Sequence, residues 1–205
     1  MANYGVIDLG SNSVRLVIFD VKDGISKKRP ITCKDFRSII NDKVMAGLSA
    51  YVDAGEFTPE GIAHAVDVLS GHLKRARYFN CVRTDIFATA VLRNCTNSRE
   101  AISAIEKAIG APVNLLSARD EAHLSFTGAS CDRTIEKGTV VDLGGGSTEL
   151  IRVEEGRDFD DVSIGQGSLS SYAGYVEFVM PRADEVGAIE SAFLERVAET
   201  PVDLR

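Results

Sequence analysis

The stretch Val6-Ile7-Asp8-Leu9-Gly10-Ser11-Asn12-Ser13-Val14-Arg15-Leu16 returns 134 residues later as VVDLGGGSTEL, Val140–Leu150. Six of the eleven positions are identical: Val, Asp, Leu, Gly, Ser and Leu. Both copies share one grammar. A short apolar run leads to an aspartate, a small glycine-bearing turn follows, and a second apolar run leaves it. That pattern predicts strand, tight turn, strand: a β-hairpin with a carboxylate at the end of its first strand.

Residue types in the turns point to anions. Glycine, serine and asparagine let backbone N–H groups converge without obstruction by Cβ. Such a concave cluster of donors binds phosphate oxygens. Hydroxyls at Ser11, Ser13, Ser147 and Thr148 add donors. An aspartate beside a phosphate cradle is repulsive alone and makes sense with a hard cation such as Mg²⁺ between them. Two copies imply two similar half-sites, expected to face each other across a cleft that closes on ligand.

Composition agrees with a globular protein of one ordinary domain or two small ones. The chain has 205 residues, 44% apolar and 26% charged, with 23 basic and 30 acidic side chains for a net charge of −7. That balance speaks against a generic nucleic-acid binder, so no DNA partner is expected, but it leaves room for a locally positive site. No apolar run reaches the length of a membrane span, and the N-terminus lacks the pattern of a signal peptide. Cys33, Cys81, Cys95 and Cys131 form no CxxC pair, which reads as reduced thiols in a cytoplasmic protein. His64, His72 and His123 share no motif and read as surface or internally satisfied groups.

Between the two copies the pattern alternates. Strands are predicted at Val6–Leu9, Val14–Val21, Thr84–Thr89 and Val113–Leu116, with a basic turn near Gly24–Pro30 carrying Lys27, Lys28 and Arg29. Ile31–Ile40 is ambiguous and reads as strand, then loop. Thr58 and Pro59 open a helix that runs to about Tyr78, with Ile62, Val66, Leu69 and Leu73 on one face. Ser98 opens another that stops at Gly110. Ala118–Phe126 reads as helical. Strands follow at Thr139–Leu143, Glu149–Val153 and Val162–Ile164, then an amphipathic helix at Glu185–Ala198 with Val186, Ile189, Phe193 and Val197 on its apolar face. The class is α/β, with a boundary between Leu116 and Lys137.

The motifs together resemble the exopolyphosphatase / guanosine pentaphosphate phosphohydrolase (Ppx/GppA) family. They are Ile7–Ser13 with Arg15-Leu16; Ala88-Thr89-Ala90-Val91-Leu92-Arg93 with Asn97; Leu116–Ala122; and Val141–Leu150. A weaker fifth is Ser163-Ile164-Gly165-Gln166-Gly167. The resemblance implies an actin-like ATPase (ribonuclease H-like) fold of two domains, 1–117 and 118–205, the second incomplete. Three departures stand out: Ala118, where the family usually has glycine; Val91 and Cys95, where it has alanine; and Lys43–Leu48 in place of an Arg-Leu-Gly-rich stretch. Family members continue beyond the position of Arg205. This chain is therefore expected to pair with a second copy, as a homodimer through its second half, or to be part of a longer protein, with weak or absent hydrolysis by itself.

The resemblance also assigns roles. Glu121 resembles the general base that activates water, and Arg93 the arginine that clamps the reacting phosphate. Asp142, Glu149 and Asp8 resemble carboxylates that hold metal or position water, with Mg²⁺ or Mn²⁺ as the expected cofactor. Backbone N–H groups at Gly10, Ser11, Asn12 and Ser13, and at Gly144, Gly145, Gly146 and Ser147, would hold phosphoryl oxygens. The implied substrates are polyphosphate and guanosine penta- or tetraphosphate. Two other readings are a kinase or ATPase of the same superfamily, and a non-catalytic domain that binds these polyanions. Read without the resemblance, Asp120 and Glu121 at a helix start simply favour the helix dipole.

Overall fold

The computed structural model describes residues 1–23 and 32–200. The basic turn at Gly24–Pro30 lies outside the described residues. The chain forms two compact units, Met1–Leu116 and Ser117–Arg205.

The first unit is built on the first hairpin. Strand β1, Ala2–Leu9, pairs antiparallel with β2, Ser13–Val21, which pairs antiparallel with β3, Phe36–Met45. Val14, Leu16 and Ile18 alternate inward along β2, and Ile7 and Leu9 do so along β1. A 3-10 turn at Leu48–Tyr51 and a two-residue ladder, β4 (Val52–Asp53) with β5 (Glu56–Phe57), lead into α1, Pro59–Tyr78. The Thr58 hydroxyl accepts the Gly61 N–H, and Pro59 occupies N1, as the sequence predicts.

Helix α1 is a crossover. It returns the chain to β6, Cys81–Ala88, which pairs parallel with β1 on the edge away from β2. The one-turn α2, Ala90–Arg93, and α3, Ser98–Ile109, follow, and β7, Asn114–Leu115, adds parallel to β6. Gly110 ends α3 in the left-handed region at φ 68°. The sheet order is β3-β2-β1-β6-β7. Its core joins Ile7, Leu9, Leu16 and Ile18 to Leu69 of α1, Leu92 of α2 and Ile105 of α3.

Two expectations shift here. In the ambiguous segment the order is reversed: Thr32–Asp35 form a turn and Phe36–Ile40 begin a ten-residue strand that runs to Met45, so part of the departing stretch Lys43–Leu48 is a strand end. On α1, Ile62 and Val66 are only partly buried; the deeply buried line runs through Ala65, Leu69, His72 and Ala76.

The second unit repeats the hairpin with less around it. Helix α4, Ala118–Ala129, precedes β8, Lys137–Leu143, which pairs antiparallel with β9, Thr148–Glu154, and β9 with β10, Arg157–Ile164. The sheet order is β10-β9-β8. Helices α5, Ser168–Tyr175, and α6, Ala183–Ala198, follow. The core is small: Ala122 and Phe126 against Ile151 and Val153. Val141 and Leu143, the repeat counterparts of the fully buried Ile7 and Leu9, are 59% and 63% exposed. With Ile189 and Phe193 of α6 they line an open apolar groove of about 440 Å³. The expected apolar face of α6 is thus only part-covered, and Val186 is 48% exposed. Among the described residues no helix is long and apolar enough to cross a membrane.

Candidate active site

The sequence repeat is also a repeat of turn geometry. Gly10 N–H donates to Ser13 O at 3.1 Å, and Gly144 N–H donates to Ser147 O at 2.9 Å. A Cβ on Gly10 would meet that oxygen at 3.2 Å, and one on Gly144 at 3.1 Å, so both turns are tight at their first residue. Each turn then has two consecutive carbonyls engaged from behind. Ser11 O and Asn12 O accept from Ser49 N–H and Gly47 N–H, at 2.9 and 2.8 Å. Gly144 O accepts from Ser168 N–H at 2.9 Å, and Gly145 O from Leu169 and Ser170 N–H at 2.8 and 3.1 Å. These acceptors are thus engaged within the fold. They belong to the same peptide groups as the N–H of Asn12, Ser13, Gly145 and Gly146, which the sequence assigns to phosphate.

The weak fifth motif has a steric reason. A Cβ on Gly167 would lie 2.7 Å from the Gly144 and Gly145 backbone, so only glycine lets α5 start against the turn. Thr148 is a correction. Its hydroxyl donates to Gln166 O at 2.7 Å in the buried interior, so it supplies no donor to a ligand. Ser147 shares its hydroxyl with Glu149.

In the first unit, Asp8 and Arg93 lie at the same end of the sheet. Asp8 is exposed one residue before the end of β1, opposite Arg15 of β2. Leu9 pairs with Ala88, and Thr89 N–H donates to Leu9 O at 3.4 Å, so α2 starts beside the end of β1. Arg93 closes α2, half-buried, and its Nη1 donates to Leu116 O at 3.2 Å. Carboxyl ends of parallel strands are where open α/β sheets bind ligands. Asn97 has a structural duty: its side chain accepts from Phe57 N–H at 2.9 Å and donates to Phe57 O at 3.0 Å. It extends the β5 ladder to the start of α3.

In the second unit, α4 separates the adjacent acids. Ser117 Oγ caps the helix by accepting Asp120 N–H at 3.1 Å and donates to Asp120 Oδ2 at 2.6 Å. That bond holds the Asp120 carboxyl below its usual range. Asp120 is therefore the capping acid. Glu121, one residue on, interacts through its charge with Glu149 of β9, and Glu149 in turn with Asp142. Asp142 and Glu149 are directly opposed across β8 and β9. Glu149 is 1% exposed. Burial pushes its carboxyl up, and the Glu121 and Asp142 charges push it further; hydrogen bonds from Ser163 Oγ, at 2.9 Å, and from Ser147 pull it back. Ser125, one turn beyond Glu121, donates to Asp142 Oδ2 at 2.5 Å. Sequence reading did not single it out, since a lone serine in a helix carries no signal.

The histidines are satisfied as expected. His72 is buried with Nε2 on Val14 O at 3.2 Å, and His123 Nδ1 lies 2.6 Å from Asp158. None of the four cysteines is in a disulfide among the described residues.

Comparison with known proteins agrees with this frame. The chain is 29% identical over 159 residues to exopolyphosphatase 2 of Mycobacterium tuberculosis, covering 74% of this chain and 48% of that protein. It is 30% identical over 149 residues to the guanosine-5'-triphosphate,3'-diphosphate pyrophosphatase of Vibrio cholerae, covering 72% of this chain and 28% of that one. The crystal structure of an exopolyphosphatase from Cytophaga hutchinsonii matches with a TM-score of 0.81 at 23% identity, over 95% of this chain and 60% of that chain. The α/β fold expected from the motifs is thus the fold of a solved exopolyphosphatase. The chain spans about half or less of the length of these curated relatives. The Ppx/GppA phosphatase family matches residues 6–205, and the chain belongs to that family.

Proposed function

We propose that this chain carries the machinery for hydrolysing the terminal phosphoanhydride of inorganic polyphosphate or of guanosine pentaphosphate. The observation that supports this most is the group of three carboxylates in the second unit: Glu121 on α4 beside the opposed pair Asp142 and Glu149. Three acids sharing one neighbourhood at a glycine-rich turn are costly for stability and useful for phosphoryl chemistry.

Glu121 takes the proton of the attacking water, a role usually worth about 10²–10⁴ in rate. Arg93 offers planar, paired donors to phosphoryl oxygens. Backbone N–H groups of Gly10–Ser13 and Gly144–Ser147 hold the oxygens that gain charge. Such positioning and electrostatic stabilisation carry most of phosphoryl transfer.

The residues fit a divalent ion of one kind. Among the described residues no set of three or more His, Cys, Asp or Glu side chains could hold a metal by itself. Mg²⁺ commonly binds through one or two carboxylates and completes its shell with waters and substrate phosphates. Asp142 and Glu149 fit that mode and would hold Mg²⁺ or Mn²⁺. The ion would neutralise charge on the phosphoryl oxygens. Asp8 is the mirror-related carboxylate, but the residue opposite it in the register is a cation, Arg15, where Asp142 faces a second carboxylate. The ion is therefore assigned to the second hairpin.

Phosphate release from polyphosphate and from guanosine pentaphosphate tests this reading. Glu121→Gln keeps the shape of the side chain and removes the base, so kcat should fall by about 10² or more with KM little changed. A near-normal kcat would sink the assignment.

A further inference from the structure

The hydroxyl residues of α4 behave in two ways. Thr127 Oγ1 donates to His123 O at 2.8 Å, and Ser130 Oγ, at the C-cap, donates to Phe126 O at 2.8 Å. Both are the usual bond back to the carbonyl four residues earlier. Ser125 departs from this. Its hydroxyl has one proton, and that proton goes to Asp142 Oδ2. The back-bond to Glu121 O is forgone for a contact with a residue 17 positions along the chain.

The placement is two-by-two. Glu121 and Ser125 are four residues apart on α4, so they lie one above the other on one helix face. Asp142 and Glu149 are an opposed pair on the hairpin. Glu121 interacts with Glu149, and Ser125 bonds Asp142. One helix face thus serves both members of the pair. Asp142 needs an orienting partner more than Glu149 does. It is exposed, next to last on the end strand of its sheet, and a carboxylate stands opposite it. Glu149 is buried and held by Ser163 and Ser147.

We infer that Ser125 is a positioning residue that orients the Asp142 carboxylate for a divalent cation. The inference rests on the reading of Asp142 as a metal ligand. Partners that orient a ligating carboxylate typically account for 10–100-fold in metal affinity or activity.

The test is a titration of Mn²⁺ alone into the ¹⁵N-labelled chain, read as paramagnetic broadening of the Gly144–Gly146 amide signals. Four variants are compared with the unmodified chain. Asp142→Asn should abolish the selective broadening. Ser125→Ala should require about tenfold more Mn²⁺, and Ser125→Thr, which keeps the hydroxyl, should return to within about twofold. Thr127→Ala, which loses only a back-bond, should titrate like the unmodified chain. If Asp142→Asn loses the ion while Ser125→Ala binds normally, this inference falls and the metal assignment stands. If Asp142→Asn binds normally, both fall. A Ser125→Thr variant as weak as Ser125→Ala would also overturn it, since a packing role would then explain the loss.

Discussion

Asp142 stands directly across its hairpin from Glu149, at the register position where the first hairpin sets Asp8 against Arg15. The same backbone device thus sets a carboxylate opposite a cation in one unit and opposite a second carboxylate in the other. Directly opposed like charges destabilise a strand pair, and here one of them is buried.

Glu149→Gln removes that repulsion and keeps an oxygen for the Ser163 hydroxyl. The metal-free chain should unfold at a higher temperature after this change, while Mn²⁺ binding weakens by tenfold or more. Thermal melts with and without Mn²⁺ decide it. A lower melting point for the metal-free variant would show that the buried carboxylate is not under strain.

Gly167→Ala forces a Cβ into the backbone of the Gly144–Ser147 turn, where the nearest atoms lie at 2.7 Å. A loss of about 1–3 kcal/mol is expected, typical of overpacking. Gly187 is the matched control. It is exposed on α6, and a Cβ there meets nothing within 4 Å. Gly187→Ala should stabilise by about 0.5–1 kcal/mol. Denaturant midpoints measure both, and equal effects at the two glycines would contradict the steric account.

His72 makes the first unit sensitive to acid. Its ring is fully buried, with Nε2–H on Val14 O and Nδ1 3.4 Å from Asp42 Oδ2. Burial holds its pKa below the usual 6.5; the Val14 bond and Asp42 pull it up, and Arg75 pushes it down. With the folded value depressed, the unfolded chain takes the proton first on acidification. Stability should be level above about pH 6.5 and fall below it, by at most about 1.4 kcal/mol per pH unit from this group. Urea unfolding between pH 7.5 and 5.5 reads this slope. His72→Gln should flatten it.

Much of this was legible from local chemistry. The hairpins declared themselves because an aspartate, a glycine turn and alternating apolar residues recur at one spacing. The ends of α1 and α3 were marked by Thr58-Pro59 and by Gly110, whose conformational roles are intrinsic. β3 was not legible as one strand, because it ends its sheet and is exposed along most of its length. An end strand has little need for alternation, and its register comes from β2. Helix α5 was missed for a similar reason. SLSSYAGY has little apolar periodicity, and its first turn is held by carbonyls of the Gly144–Ser147 turn, a long-range partner.

Within the candidate site, sequence could place Asp120 and Glu121 together but not tell them apart. What separates them is Ser117, whose cap takes Asp120 and leaves the next residue for the sheet. The burial of Glu149 was equally hidden. A charged residue on a strand reads as solvated, and only the packing of α4 and β10 around β9 shows otherwise. Asn97 was visible as a motif residue, yet its hold on Phe57 depends on a contact forty residues away.

The engaged carbonyls behind each turn have a spectroscopic consequence. A peptide group that donates its N–H to an anion becomes a better acceptor at its oxygen, because hydrogen bonds in a chain polarise one another. Phosphate held by Gly145 and Gly146 N–H would therefore tighten the bonds that Ser168, Leu169 and Ser170 make to the oxygens of those same peptide groups. Their amide protons would move downfield without touching ligand. Gly47 and Ser49 would do the same for the first turn. Each half of the molecule thus carries its own gauges, two amides in the first and three in the second, and one NMR titration with a phosphate chain would report separately which turn fills first.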